Sequence, residues 1–204
     1  MPSAASVSTS ARPSPRDVPV TRATGALDCG KIAKWYRSHR VMADGLAALA
    51  ELRAPGSAEV HQVGVVVPDL DAAVVAHSRL YGCDADDWRF DVFGPESVEE
   101  LTVRGAPAVF SMRLAFHGNA PELELIQPLA GPSIYAEWLA AGAGGLHHLA
   151  VAVTSLERAT AAMERAGFAT LQAGRGFAPA GRGGFAYFDT AAALGYFVEA
   201  VELP

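Results

Sequence analysis

The sequence predicts an α+β fold built from two copies of one βαβββ unit, with an extra helix before them. Two observations carry this. The first is an internal repeat: His61-Gln62-Val63-Gly64-Val65-Val66-Val67-Pro68-Asp69-Leu70 matches His147-His148-Leu149-Ala150-Val151-Ala152-Val153-Thr154-Ser155-Leu156. In each, an apolar run opens on two polar residues, and the second of these lies eight positions before the Leu that opens a helix. The second observation is that each helix is followed by three more strand-like runs. A lone copy would leave one face of its sheet bare, and pairing two copies covers it.

Residues 1–24 are rich in Pro, Ser, Ala and Arg and lack the apolar centre of a secretory signal, so a disordered tail is expected. A helical extension over residues 25–57 follows. Between Lys31 and Leu52 the residues Ile32, Trp35, Tyr36, Met42, Leu46, Leu49 and Leu52 keep to one helical stripe, and Pro55-Gly56-Ser57 ends it. This helix is expected to cover either a sheet or a partner subunit.

The first module spans residues 58–130. Val60 to Val67 is a β-branched strand. Asp69 caps a helix that reaches Leu80 and stops at Gly82. Trp88 to Phe93, Ala108 to Phe116 and Glu122 to Gln127 are the further strands, with a turn at His117-Gly118-Asn119. A linker over residues 131–145 carries a short helix capped by Ser133 and closed by the glycines from Gly142 to Gly145. The second module, residues 146–204, repeats the order: strand Leu146 to Val153, helix Ser155 to Ala166, then strands near Phe168 to Leu171, Phe185 to Phe188 and Gly195 to Val201.

Half of the 204 residues are hydrophobic, ample for a packed core, and the net charge is -6. No basic stripe appears, which disfavours nucleic acid and anionic membrane surfaces as partners. No apolar run approaches the roughly 20 residues of a spanning helix. Cys29 and Cys83 lie in different segments without a Cys-x-x-Cys, so reduced thiols in a cytoplasmic protein are expected.

Side chains alternate along a strand. Gln62 shares its face with Gly64 and Val66, and His148 with Ala150 and Ala152. The bulkier faces, with His61 and His147, are expected to pack on the helices. That leaves Gln62 and His148 toward a cavity. Glu124 and Glu199 each interrupt an apolar strand, where a buried carboxylate needs a partner or a cation; Glu122 and Glu202, nearer strand ends, are milder cases. Gln62, Glu124, His148 and Glu199 together suit one divalent metal: Zn, Ni, Co, Fe or Mn. Each alone reads better as an ordinary strand-end residue. Four in matching places of a duplicated unit favour a shared site. His39, His77 and His117 read as surface or structural.

On Gln62-Val63-Gly64-Val65-Val66-Val67-Pro68-Asp69-Leu70, Glu122-Leu123-Glu124-Leu125-Ile126-Gln127-Pro128, Gly145-Leu146-His147-His148-Leu149-Ala150 and Gly195-Tyr196-Phe197-Val198-Glu199, the chain resembles the vicinal oxygen chelate superfamily of glyoxalases, bleomycin-resistance proteins and extradiol dioxygenases. The likeness is to its methylmalonyl-CoA epimerase and glyoxalase I-like branch. It implies an open, cupped, eight-stranded mixed sheet around one divalent metal, with Gln62, Glu124, His148 and Glu199 as ligands. The epimerases usually have His where Gln62 stands, and a Gln/Glu/His/Glu set looks like the zinc form of glyoxalase I. A slipped register would put His61 in the site instead. The epimerases' further catalytic Glu has no counterpart in Val109-Phe110-Ser111-Met112-Arg113-Leu114-Ala115.

The resemblance implies a metal-dependent isomerase, epimerase or lyase acting beside a carbonyl, on a small-molecule carbonyl or thioester substrate. Glu199 is the first candidate base and Glu124 the second. Arg113, Arg175 and Arg182 are candidate contacts for an anionic group, the last two from the loop flanked by Gly174-Arg175-Gly176 and Gly181-Arg182-Gly183-Gly184. Two rivals are a metal-free small-molecule binding or resistance protein and an extradiol-type dioxygenase, which wants two His on iron. The superfamily often builds dimers, so a homodimer is the expected assembly.

Overall fold

The computed structural model describes residues 40–178 and 182–204. The expected tail and the start of the N-terminal extension, with Cys29 and His39, lie outside the described residues. No described helix is long and apolar enough to cross a membrane.

Helix α1 (Arg40–Glu51) leads to β1 (Gln62–Val66) and α2 (Leu70–Tyr81). A short 3-10 turn (Ala85–Asp87) precedes β2 (Arg89–Phe93), β3 (Glu99–Val103), β4 (Ala106–Pro107), β5 (Ser111–His117) and β6 (Glu122–Ala130). Helix α3 (Ile134–Ala140) links to β7 (Gly145–Val153), α4 (Leu156–Arg165), β8 (Thr170–Ala178), β9 (Arg182–Phe188), α5 (Ala191–Leu194) and β10 (Phe197–Glu202).

The strands form one curled, open sheet in the order β2-β5-β6-β1-β7-β10-β9-β8-β3-β4. The two modules show the same internal order. β1 runs parallel to β6, and β7 parallel to β10. β1 and β7 pair antiparallel and join the halves. Eight strands thus make the expected cup, and β3 and β4 are two more, in a stretch to which the sequence pattern assigns no element. They arise from the first module as a hairpin, of which β3 pairs with β8 of the second and β4 forms the edge.

Local chemistry sets the helix starts. Asp69, Ser133 and Ser155 each accept a hydrogen bond from the backbone N–H three residues on. Gly82, at φ 69°, ends α2 in the left-handed region.

Three apolar clusters follow. The inside of the cup holds Val66, Phe110, Met112, Leu114, Ile126, Tyr135 and Phe185, with α3 contributing Ile134 and Tyr135. Behind the first module, Leu70 and Val74 of α2 pack on Leu125 and Ala115. Behind the second, Leu156, Ala159 and Met163 of α4 pack on Phe188 and Ala200, and Leu49 and Leu52 join them.

Helix α1 therefore lies against α4 rather than waiting for a partner. The contact is close because Gly45 has no side chain: a Cβ there would stand 2.0 Å from Ala166 Cβ. Gly45→Ala would gain about 0.5–1 kcal/mol of helix preference. Overpacking at such a distance costs about 1–3 kcal/mol. The expected net result is destabilisation, measured as a lower midpoint in chemical denaturation.

Candidate functional site

The centre of the sheet brings four strands to one place. Gly64 of β1 stands beside Glu124 of β6 and opposite His148 of β7. One step along, Gln62 is level with Glu122 on one side and Ala150 on the other, and Ala150 is level with Glu199 of β10. Glu199 in turn faces Tyr187 across the β10–β9 pair.

The absent side chain of Gly64 makes room for the His148 ring. A Cβ on Gly64 would come within 1.8 Å of His148 Cε1. The imidazole is fully buried, and its Nε2 lies 3.4 Å from Glu124 Oε2 and 3.2 Å from Glu199 Oε2. These are ion-pair distances without hydrogen-bond alignment, for both His148 Nε2 and Glu199 Oε2 lack a hydrogen-bond partner. Burial opposes a charge on His148, but the two carboxylates, Glu199 foremost, overcome it and lift its pKa to about 9. Burial raises the pKa of Glu124.

The alternation rule places His147 on the helix side, and the structure corrects this. Between Gly64 and Val65 the register slips by one residue, so His147 is an unpaired extra residue in β7. It sits fully buried among Tyr135, Trp138 and Phe197, with Nδ1 3.0 Å from His148 Nδ1. Burial, and then the neighbouring His148, push its pKa down to about 2, so it stays neutral and orients His148.

A cavity of about 510 Å³ opens over these groups, lined by His61, Gln62, Glu124, Glu199, Arg89, Tyr187 and a wall of Phe93, Phe116, Phe177 and Phe185. Both His61 and Gln62 reach it. Gln62 Nε2 donates to Glu122 Oε2 at 3.1 Å, and Arg89 holds Glu122 Oε1 at 3.0 Å while lying over the Phe116 ring.

The three candidate arginines do not line this cavity. Arg113 is on the outer face of β5, paired with Asp71 of α2 at 2.7 Å. Arg175 is exposed beside Glu100 and borders a shallow groove against α4. Arg182 is exposed at the start of β9. Arg89 is the cation that does line it, and sequence reasoning passed over it. Its signal was alternation: Arg89, Asp91 and Phe93 share one face of β2 and all three border the cavity. Tyr187, two residues after Phe185 on β9, carried the same signal.

His148 Nε2 lies within 3.4 Å of both carboxylates, but among the described residues no three His, Cys, Asp or Glu side chains are placed to hold a metal ion. The misaligned, buried Nε2 and Oε2 are the observation that fits a cation: an imidazole nitrogen and two carboxylate oxygens turned to one point without satisfying each other. Nitrogen plus oxygen donors suit Zn²⁺ and its first-row neighbours.

The paired βαβββ modules put a polar cluster at the floor of an aromatic cavity shared by the two halves of one sheet. Residues 61–188 match the Glyoxalase/Bleomycin resistance protein/Dioxygenase superfamily, and the chain belongs to it. Similar solved structures include a hypothetical protein from Bacillus halodurans C-125 at 19% identity, covering 71% of this chain and 94% of that one with a TM-score of 0.48. Methylmalonyl-CoA epimerase from Mycobacterium tuberculosis is 21% identical, with coverage of 74% and 93% and a TM-score of 0.47. A Streptomyces coelicolor methylmalonyl-CoA epimerase variant in complex with 2-nitronate-propionyl-CoA is 21% identical, with coverage of 72% and 98% and a TM-score of 0.44. No curated protein matches the chain.

Proposed function

We propose that this chain is a divalent-metal-dependent isomerase, epimerase or lyase that moves a proton beside a carbonyl group of a small molecule. One observation carries the reading: the buried His148 Nε2 is aimed between the Glu124 and Glu199 carboxylates at the floor of the aromatic cavity. His148, Glu124 and Glu199 would hold the metal, and Gln62 would complete the set in exchange for its bond to Glu122. The bound metal supplies Lewis-acid polarisation of the substrate oxygen.

The chain's own residues do the rest. Glu199, nearly buried at the cavity floor, takes the proton from the substrate carbon. The phenylalanine wall excludes water from the carbanion that results. Among the described residues lining the cavity, Arg89 is the one cation, and it is already paired with Glu122. A small carbonyl compound or thioester whose reacting end is apolar suits these walls.

The test is a titration with zinc and its first-row neighbours, followed by calorimetry at several pH values. Without metal, His148 keeps its proton up to about pH 9. Binding needs the neutral imidazole, so each metal should displace about one proton. Affinity should rise about tenfold per pH unit on approaching pH 9 and then level off. Failure to bind any divalent metal would favour the second reading, a metal-free binding protein. The preformed ion pairs of His148 and the aromatic walls would then be the floor and sides of a ligand pocket.

A further inference from the structure

A buried polar chain lies beside the carboxylates and takes no part in the proton transfer just described. Gln172 of β8 is fully buried, and its Oε1 accepts the Ile134 N–H at 3.2 Å. That bond ties β8 to the start of α3, while the Gln172 Nε2 has no hydrogen-bond partner among the described residues. Tyr135, on the first turn of α3, shares a hydrogen bond with the Tyr187 hydroxyl at 2.9 Å. Both rings are almost fully buried, at 1% and 3% exposure.

Tyr135 and Tyr187 carry two hydroxyl protons and share one hydrogen bond, which leaves one proton over. Among the described residues no hydrogen bond takes it. Tyr187 lines the cavity, faces Glu199 across the β10–β9 pair, and has its ring 5.0 Å from the His148 ring. A buried hydroxyl proton without an acceptor is costly. The acceptor that fits here is an oxygen of the molecule in the cavity.

We propose that Tyr187 is a catalytic residue whose hydroxyl donates a hydrogen bond to the substrate oxygen on which negative charge develops. Tyr135 and Gln172 are its positioning residues. This rests on the proton-transfer reading of the site. In that step Glu199 takes the proton from the carbon beside the carbonyl. The C–H electron pair becomes the carbon–carbon π bond of an enolate, and the carbonyl π pair moves to oxygen. The Tyr187 proton stays on Tyr187, its hydrogen bond strengthening as the oxygen becomes anionic. Return of the proton from Glu199 to carbon restores the carbonyl.

The test compares the wild-type protein with Tyr187→Phe and Tyr135→Phe, each checked for an unchanged melting temperature. Three quantities are measured: zinc affinity, affinity of the zinc-loaded protein for acetohydroxamate (a small oxyanion-bearing probe), and deuterium exchange into a 2-methyl acyl thioester of N-acetylcysteamine. Tyr187→Phe should keep zinc affinity within about twofold, bind hydroxamate about tenfold more weakly, and lower the exchange kcat about 10²–10³-fold with KM little changed. Tyr135→Phe should show the same pattern at about tenfold, because the Tyr187 hydroxyl stays but loses its orientation. Hydroxamate affinity and exchange rate both unchanged in Tyr187→Phe would overturn the assignment. A wild-type protein that binds zinc and hydroxamate but exchanges no deuterium would sink the proton-transfer reading and the catalytic role with it. The hydroxamate arm would then still show whether Tyr187 is an oxygen donor. A wild-type protein that takes up no zinc would overturn both.

Discussion

Gly64→Ala is expected to abolish tight divalent-metal binding and to lower stability together. The new methyl carbon would stand 1.8 Å from His148 Cε1, 2.2 Å from Nδ1 and 2.3 Å from Nε2. The ring has nowhere to go. It is fully buried, lies edge-on to Tyr187, and is tied through Nδ1 to His147. Either the imidazole leaves the point between Glu124 and Glu199 or the β1–β7 pairing spreads. Overpacking of this kind costs about 1–3 kcal/mol and sometimes more. A displaced ligand should weaken metal binding by more than the roughly 10–100-fold typical of losing a supporting partner. Thermal denaturation and zinc titration on the same preparation read both effects. Wild-type zinc affinity in Gly64→Ala would mean that His148 is not a ligand.

Glu199→Gln should separate metal binding from turnover. The amide keeps the shape and one oxygen of the carboxylate, so metal should still bind, more weakly. It cannot take a proton, so exchange at carbon should fall about 10²–10⁴-fold. The substitution also removes the carboxylate that does most to raise the His148 pKa. Proton release on metal binding should therefore shift to lower pH in the variant, a signature that a general loss of folding would not give. Turnover equal to wild type would remove Glu199 as the base, and the matched Glu124→Gln variant would then test the second candidate.

Much of the fold was legible because the repeat carries its own register. Gln62 and His148 stand at equal distances from their helices, and that spacing matched the strand–helix start of one module, β1–α2, to that of the other, β7–α4. The rest was hidden for physical reasons. β3 and β4 form a hairpin that turns at Arg104-Gly105, but β3 is held in the sheet by β8 of the second module, a pairing that nothing local in Glu99 to Pro107 announces. Their path also needs left-handed backbone at Glu100 and Arg104, residue types that give no turn signal. His147 was assigned to the wrong face because alternation holds only while a strand is regular, and the bulge in β7 breaks it. Arg113 was a different case. Met112, Leu114 and Phe116 border the cavity, so alternation alone already places Arg113 behind the sheet. Tyr135 lies on a helix whose position inside the cup depends on tertiary packing. No strand rule reaches it.

The excursion of the chain through β3 and β4 bears on where a complete pocket is assembled. The polypeptide leaves β2, crosses to the far rim of the second half, and returns to β5. The halves are therefore stitched at two seams, one at β1–β7 and one at β3–β8. Lending the second half to another molecule would tear Val98, Leu101 and Val103 away from Leu171 and Phe185, with which they share a core. Each polypeptide thus keeps Gln62 and Glu124 beside its own His148 and Glu199.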